Sequence, residues 1–221
     1  MSSLLEEFET LPNDITYLVK NIGQYIDINI NNNSIIFAVA TIAFNPIFWN
    51  IVARLEYNTH FLTKISGGAY RGCYLLAFTI FSLGIYRDHV YHQALIAQPT
   101  FEPLINSLII KSIAIGSFIF GNILVLTSMY ALGVTGTYLG DYFGILMNER
   151  VTGFPFNIND NPMYNGSTLC FLGTALWYGK PSGIIITIFV FVMYKIALLF
   201  EEPFTAKIYA NREKELLSKR V

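Results

Sequence analysis

Charge is scarce in this chain. Only 13% of its 221 residues are Asp, Glu, Lys or Arg, where a soluble domain carries roughly 25%. The net charge of −1 excludes the strongly basic surface of a nucleic-acid binder. Cysteine is nearly absent: Cys73 and Cys170 lie in apolar stretches without metal-ligand spacing and read as buried free thiols. The three histidines are His60, His89 and His92; Arg87-Asp88-His89 with His92 is a loose cluster, and no His-Glu-x-x-His pattern occurs, so no metal site is expected. No Gly-x-Gly-x-x-Gly follows a strand-like run, which argues against a Rossmann-type domain. The acidic start, MSSLLEEFETLPND, lacks the basic region of a cleaved signal peptide, so insertion through internal segments is expected. The ending KELLSKRV is no clear retention signal and does not settle the compartment, and there is no internal repeat of the transporter kind.

What fills the chain is apolar. Hydrophobic residues make up 53% and aromatics 15%, and mean hydropathy is +0.47. A soluble protein with a large core would alternate its apolar residues; here they come in blocks. Four blocks stand out: Ser34 to Ala53, Gly68 to Tyr86 with Arg71 its one charge, Leu108 to Leu132 with Lys111, and Ser182 to Phe200 with Lys195. A bilayer-spanning helix needs about 20 such residues, and lipid leaves the backbone no partner but itself, so each block should be helical. Pro46 interrupts the first, which either crosses with a kink or only dips into the bilayer. A shorter run, Ser167 to Tyr178, is followed by the turn Gly179-Lys180-Pro181-Ser182. Such a run reads as a partly inserted helix forming a hairpin with the last block; the rival reading leaves it outside the membrane. The fold class expected is therefore an all-α integral membrane protein with three to four long apolar helices plus this short one.

Lys and Arg set the orientation. Lys207, Arg212, Lys214, Lys219 and Arg220 crowd the C-terminal tail, which places it in the cytosol. The hairpin then brings 133–163 to the cytosol as well, with the linker holding Arg54 and Lys64, and leaves the loop after the second block, with Arg87, facing the lumen. Asn165-Gly166-Ser167 is a formal glycosylation sequon that this topology leaves unmodified. From Pro203 onward the tail is either an interfacial helix or solvated.

Three places could carry chemistry. Glu201-Glu202 follow the last apolar block directly and precede Pro203. Acids are disfavoured at a helix C-terminus and at a membrane interface, so the pair is either a helix-stopping charge pair or a site for a cation or ribose hydroxyls. Asp141 and Tyr142 lie among Gly133, Gly136, Gly140, Gly144 and Gly153, a glycine-rich helix end or a close approach to a ligand. In Asp160-Asn161-Pro162-Met163-Tyr164, Pro162 can open a helix with Asn161 as its N-cap; the alternative sets free N–H groups of that helix end beside a carboxylate-bearing ligand.

These motifs resemble a known family. AFNPIFWNIVARLEY, TGTYLGDYFGILMNERVTGFPFNINDNPMYNGS and ALLFEEPFTAKIYA are similar to the phosphatidylethanolamine N-methyltransferases, over about Ile42 to Ala210. The resemblance implies S-adenosylmethionine-dependent methylation of the amine of phosphatidyl-N-methylethanolamine and phosphatidyl-N,N-dimethylethanolamine, with phosphatidylethanolamine a further candidate, giving phosphatidylcholine. It implies a multi-pass protein of the endoplasmic reticulum membrane and of mitochondrial membranes, and a first helix that enters without crossing. The domain division that follows is a polar segment (1–33), a membrane methyltransferase domain (34–200) and a cytosolic cofactor-site motif with a basic tail (201–221). Two S-adenosylmethionine regions are implied: a Gly-x-Gly matched here by Ile119-Phe120-Gly121, with isoleucine for the first glycine, and the double glutamate Glu201-Glu202. Asn161 to Tyr164 resembles the His-Pro-x-Tyr element of isoprenylcysteine-methyltransferase-like enzymes, with asparagine for histidine, and adds Asn161 and Tyr164 to the cofactor site. Asp141 and Glu202 are the candidate bases. An isoprenylcysteine methyltransferase-like enzyme and a non-catalytic membrane scaffold are the rival readings.

Overall fold

The computed structural model describes residues 33–218. The N-terminal polar segment through residue 32, and the tail cations Lys219 and Arg220, lie outside the described residues. Within them the chain is helical without a strand: α1 (Asn33–Thr59), α2 (Phe61–Ser66), α3 (Ala69–Ile96), α4 (Glu102–Asn106), α5 (Leu108–Thr137), a 3-10 turn (Gly140–Phe143), α6 (Pro162–Trp177) and α7 (Pro181–Ser218). Three segments are long and apolar enough to cross a membrane: Asn33–Thr59, Leu108–Phe143 and Pro181–Ser218. The second block's helix, α3, is also long but runs past Tyr86 through Arg87, Asp88 and His92, and is not among the three. Arg87 is thus a helix residue, not a loop residue.

The proline and glycine positions break the helices less than their chemistry suggests. Pro46 sits inside α1, which continues for 27 residues, about 40 Å at 1.5 Å per residue. Past the expected stop at Leu132, Gly133 takes φ 65°, and helix resumes to Thr137. The fourth block does not end at Phe200 either: α7 runs 38 residues through Pro203. Glu201 and Glu202 therefore lie within a helix, and the unfavourable C-terminal dipole expected for them does not act there. Pro203 removes the donor for the Leu199 carbonyl. Next to it, Arg54 Nη2 donates to Phe200 O at 2.8 Å, and its guanidinium lies 5.6 and 5.0 Å from the ring centres of Phe200 and Phe204. A cation from α1 thus supports the helix where proline weakens it.

The hairpin is present. Helix α6 begins at Pro162, spans 16 residues, and turns through Gly179 into α7. Phe101 N–H donates to Gly179 O at 2.8 Å, and Lys180 Nζ donates to Gln98 O and, at 2.7 Å, to Thr100 Oγ1. The turn is thereby pinned to the α3–α5 connection. Burial pushes the Lys180 ammonium below its usual range. Along α5 the approach is closest at two glycines. A Cβ on Gly121 would lie 2.5 Å from Gly166 O, and one on Gly166 2.6 Å from Gly121 O; only glycine admits this contact.

Two cores result. Ile42, Tyr91, Leu95, Phe171, Val190 and Tyr194 join α1, α3, α6 and α7. Ala53, Cys73, Leu76, Tyr142, Phe143 and Ile208 join the other ends of α1 and α3 to the 3-10 turn and the end of α7. The outer surface keeps large apolar groups such as Phe78, Ile188 and Leu199 exposed, as lipid-facing helices require. In lipid such helices are held by close packing and internal hydrogen bonds, since leaving one apolar medium for another gains little.

Candidate functional site

A cavity of about 640 Å³ lies among α1, α3, α5, α6 and α7. Its polar wall includes Trp49, Arg87, Asp88, Asn122, Tyr164 and Glu201. At one end α7 presents Glu201. One carboxylate oxygen accepts from Trp49 Nε1 and from Asn50 Nδ2 at 2.8 Å; the other accepts from Tyr164 OH at 2.6 Å. Trp49 and Asn50 come from α1, where the latter also donates to Pro46 O at 3.0 Å. Tyr164 comes from the first turn of α6. Three elements therefore fix one carboxylate in a single orientation.

Beside it, Asn161 Nδ2 donates to Glu202 Oε1 at 3.1 Å. Asn161 is the residue before Pro162 but makes no side-chain cap; its amide is spent on Glu202. The first-turn N–H groups of α6 consequently have no capping side chain, and Met163 and Tyr164 line the cavity. Asp141 Oδ2 accepts from Thr205 Oγ1 at 2.9 Å, one helical turn beyond Glu201. Next to Asp141, Tyr142 stacks on Phe204 at 5.1 Å.

The structure thus brings together Asn161, Tyr164, Glu201, Glu202 and Asp141. Of these, Asn161, Tyr164 and Glu201 line the cavity. Ile119 and Phe120 are exposed on the outer side of α5, while their neighbours Phe118 and Asn122 line the cavity. Gly121 is at the α5–α6 contact. Trp49 and Asn50 both stand in the AFNPIFWNIVARLEY motif, but nothing local in the sequence marks them as partners of a glutamate some 150 residues away. Nothing local marks Thr137 either, whose hydroxyl is buried without a partner in the cavity wall.

Chemically, the Glu201 end offers a fixed acceptor for hydroxyl or ammonium hydrogens next to a helix end that attracts anions. Comparisons with known proteins agree on one group. Residues 110–212 match the family described as phospholipid methyltransferase. A phosphatidyl-N-methylethanolamine N-methyltransferase of Emericella nidulans is 59% identical over 194 residues, 88% of this chain and 93% of that protein. Its namesake in Saccharomyces cerevisiae is 60% identical over 187 residues, 85% of this chain and 90% of that protein. The phosphatidylethanolamine N-methyltransferase of Homo sapiens is 48% identical over 179 residues, covering 81% and 89%. No solved structure matches the chain.

Proposed function

We propose a function on one premise: this chain belongs to the phospholipid methyltransferase family. It is a membrane enzyme that methylates the amine of a phospholipid headgroup. The acceptors we assign are phosphatidyl-N-methylethanolamine and phosphatidyl-N,N-dimethylethanolamine, with phosphatidylethanolamine a further one, and the end product phosphatidylcholine. The compartment we assign is the endoplasmic reticulum membrane, with mitochondrial membranes second.

S-adenosylmethionine is the donor we assign, supplying a methyl group on a positively charged sulfur. The residues present fit it. The observation that carries the assignment is the Glu201 carboxylate, held by Trp49, Asn50 and Tyr164 on the cavity wall. Such a carboxylate accepts ribose hydroxyls or an α-ammonium. The uncapped first turn of α6 supplies N–H donors for a carboxylate, and the unpartnered Thr137 hydroxyl is a further polar contact. Glu201 is assigned as an anchor, away from the sulfonium: the positive charge vanishes during transfer, so a carboxylate against the sulfur would stabilise the ground state more than the transition state.

Most of the rate then comes from holding amine and methyl in line. An ammonium has no lone pair, so its proton must leave first. Asp141 and Glu202 stay the candidates for that step, the former held by Thr205 and the latter by Asn161. The lipid is assigned a sideways entry from the bilayer and the donor an entry from the cytosol.

One assay tests this function: purified protein, S-adenosylmethionine labelled in its methyl group and phosphatidyl-N-methylethanolamine in mixed micelles. Label is expected in the extracted lipid as the dimethyl and trimethyl products. An unlabelled lipid fraction would overturn the reading.

A further inference from the structure

The cavity has a second charged feature, away from Glu201. Arg87 and Asp88 line it from α3. Arg87 Nε and Nη2 both donate to Asp88 Oδ1, at 2.9 and 2.8 Å. Arg87 Nη1 donates to Tyr194 OH at 2.7 Å, and the guanidinium lies 5.0 Å from the Phe171 ring centre. Tyr194 in turn shares a hydrogen bond with Ser167 at 3.0 Å. The two side chains differ in access: Arg87 is 12% exposed and Asp88 61%. A tyrosine, an aromatic face and a carboxylate thus hold the cation rigid, while the anion stands open.

Charged side chains lining a cavity inside a bundle of membrane helices are costly to place there and mark a functional site. The reaction derived above uses neither of them. Their position relative to the Glu201 end is defined by α7. Tyr194 lies seven residues before Glu201 on that helix, about 10 Å along its axis. Tyr164, which bonds Glu201, has its ring centre 4.9 Å from that of Tyr194. One cavity therefore has a carboxylate and a helix end at one level, and an arginine–aspartate pair at another.

We propose that Arg87 and Asp88 form the subsite for the zwitterionic headgroup of the phospholipid, Arg87 facing its phosphate and Asp88 its amine. The pair is the electrostatic complement of the headgroup, which carries one anion and one cation joined by two carbons. Arg87 uses three of its five N–H groups on Asp88 and Tyr194, so two remain for phosphate oxygens, which guanidinium groups bind well. Asp88 uses Oδ1 for Arg87, and Oδ2 remains to accept the N–H of the headgroup ammonium. Holding phosphate and amine at two points fixes the nitrogen toward the donor at the Glu201 end. The subsite belongs to the lipid-methylation reading of the preceding section and rests on it.

The test is steady-state kinetics with phosphatidyl-N-methylethanolamine in mixed micelles, together with direct S-adenosylmethionine binding, on full-length protein. Asp88→Asn is expected to raise the KM for the lipid at least tenfold and to leave the Kd for S-adenosylmethionine within twofold. Asp88→Glu, with the charge on a longer arm, is expected to recover a KM within about threefold of the unaltered enzyme. Lipid KM values in Asp88→Asn and Arg87→Lys equal to those of the unaltered enzyme would overturn the subsite while leaving the methyltransferase function standing. A parallel loss of S-adenosylmethionine binding in both Asp88 variants would overturn it too, showing a structural role. An unaltered enzyme that labels no lipid would overturn the function itself, and the subsite with it.

Discussion

Glu201 makes three charge-assisted hydrogen bonds, to Trp49, Asn50 and Tyr164, and each such bond contributes about 1.5–3 kcal/mol. Glutamine at this position keeps the shape but replaces one acceptor oxygen by an NH2 that faces donors. Glu201→Gln should therefore weaken S-adenosylmethionine binding by at least about tenfold, equivalent to roughly 1.4 kcal/mol, without unfolding the protein. Titration of purified protein with labelled donor measures it, and circular dichroism checks the fold. Unchanged affinity in both Glu201→Gln and Glu202→Gln would remove the pair from the donor site. Glu56 gives the contrasting case. Fully buried, it accepts from Leu62 N–H at 2.6 Å and from the Thr63 hydroxyl, closing the first turn of α2. Glu56→Ala should leave those donors unpaired, lowering stability by about 1–3 kcal/mol and the melting temperature in detergent. Donor affinity of the folded protein should stay the same. A melting temperature equal to that of the unaltered protein would show the cap to be dispensable.

At the scale of the element, the α5–α6 contact decides which glycines matter. A methyl group on Gly121 would sit against Gly166 O and the Cys170 side chain, so Gly121→Ala must push two backbones apart. The expected loss is about 1–3 kcal/mol, the usual size for overpacking, read as a lower melting temperature. Gly116, where an added Cβ meets nothing within 4 Å, serves as the control on the same helix and should tolerate alanine with little change. Equal melting temperatures for the two variants would refute the packing role of Gly121. The helical hairpin is legible in the sequence because a run too short to cross is joined by Gly-Lys-Pro-Ser to a longer one. The continuation of α7 is not legible there. Two acids before proline read either as a helix stop or as a site, and the choice depends on Arg54, 146 positions away in sequence. The same limit hides Trp49 and Asn50: their function depends on α1 and α7 lying side by side, which no local pattern encodes. Glu201 stands out in the sequence because a carboxylate at a membrane interface has few uses, whereas Tyr164 enters only through the family resemblance, and the cap expected of Asn161 is not formed.

Over the whole molecule, the membrane class follows from blocks of apolar residues, and the cavity from how those blocks pack. The connections fall at two ends. The segments before α3 and after α5 belong to the end where Ala53, Cys73, Tyr142 and Ile208 pack together. The α3–α5 connection and the hairpin turn belong to the other, joined by Phe101 N–H to Gly179 O. Arg54, Lys64, Arg150, Lys207, Arg212 and Lys214 all belong to the first end, and Lys111 and Lys180 to the second. The excess of cations assigns the first end to the cytosol. The Glu201–Glu202–Asn161 cluster lies toward that end, so the proposed function expects the donor to come from the cytosolic pool. Lys180 is unsuited to probing the opposite side, being 7% exposed and hydrogen-bonded. Pro99 and Glu149 are both exposed, one in each group of connections. With Cys73 and Cys170 replaced by alanine, Glu149→Cys should react with a membrane-impermeant maleimide added to sealed microsomes, whose cytosolic face is outward. Pro99→Cys should react only after detergent is added. Labelling of both from the same side would refute the arrangement and, with it, the cytosolic entry of the donor.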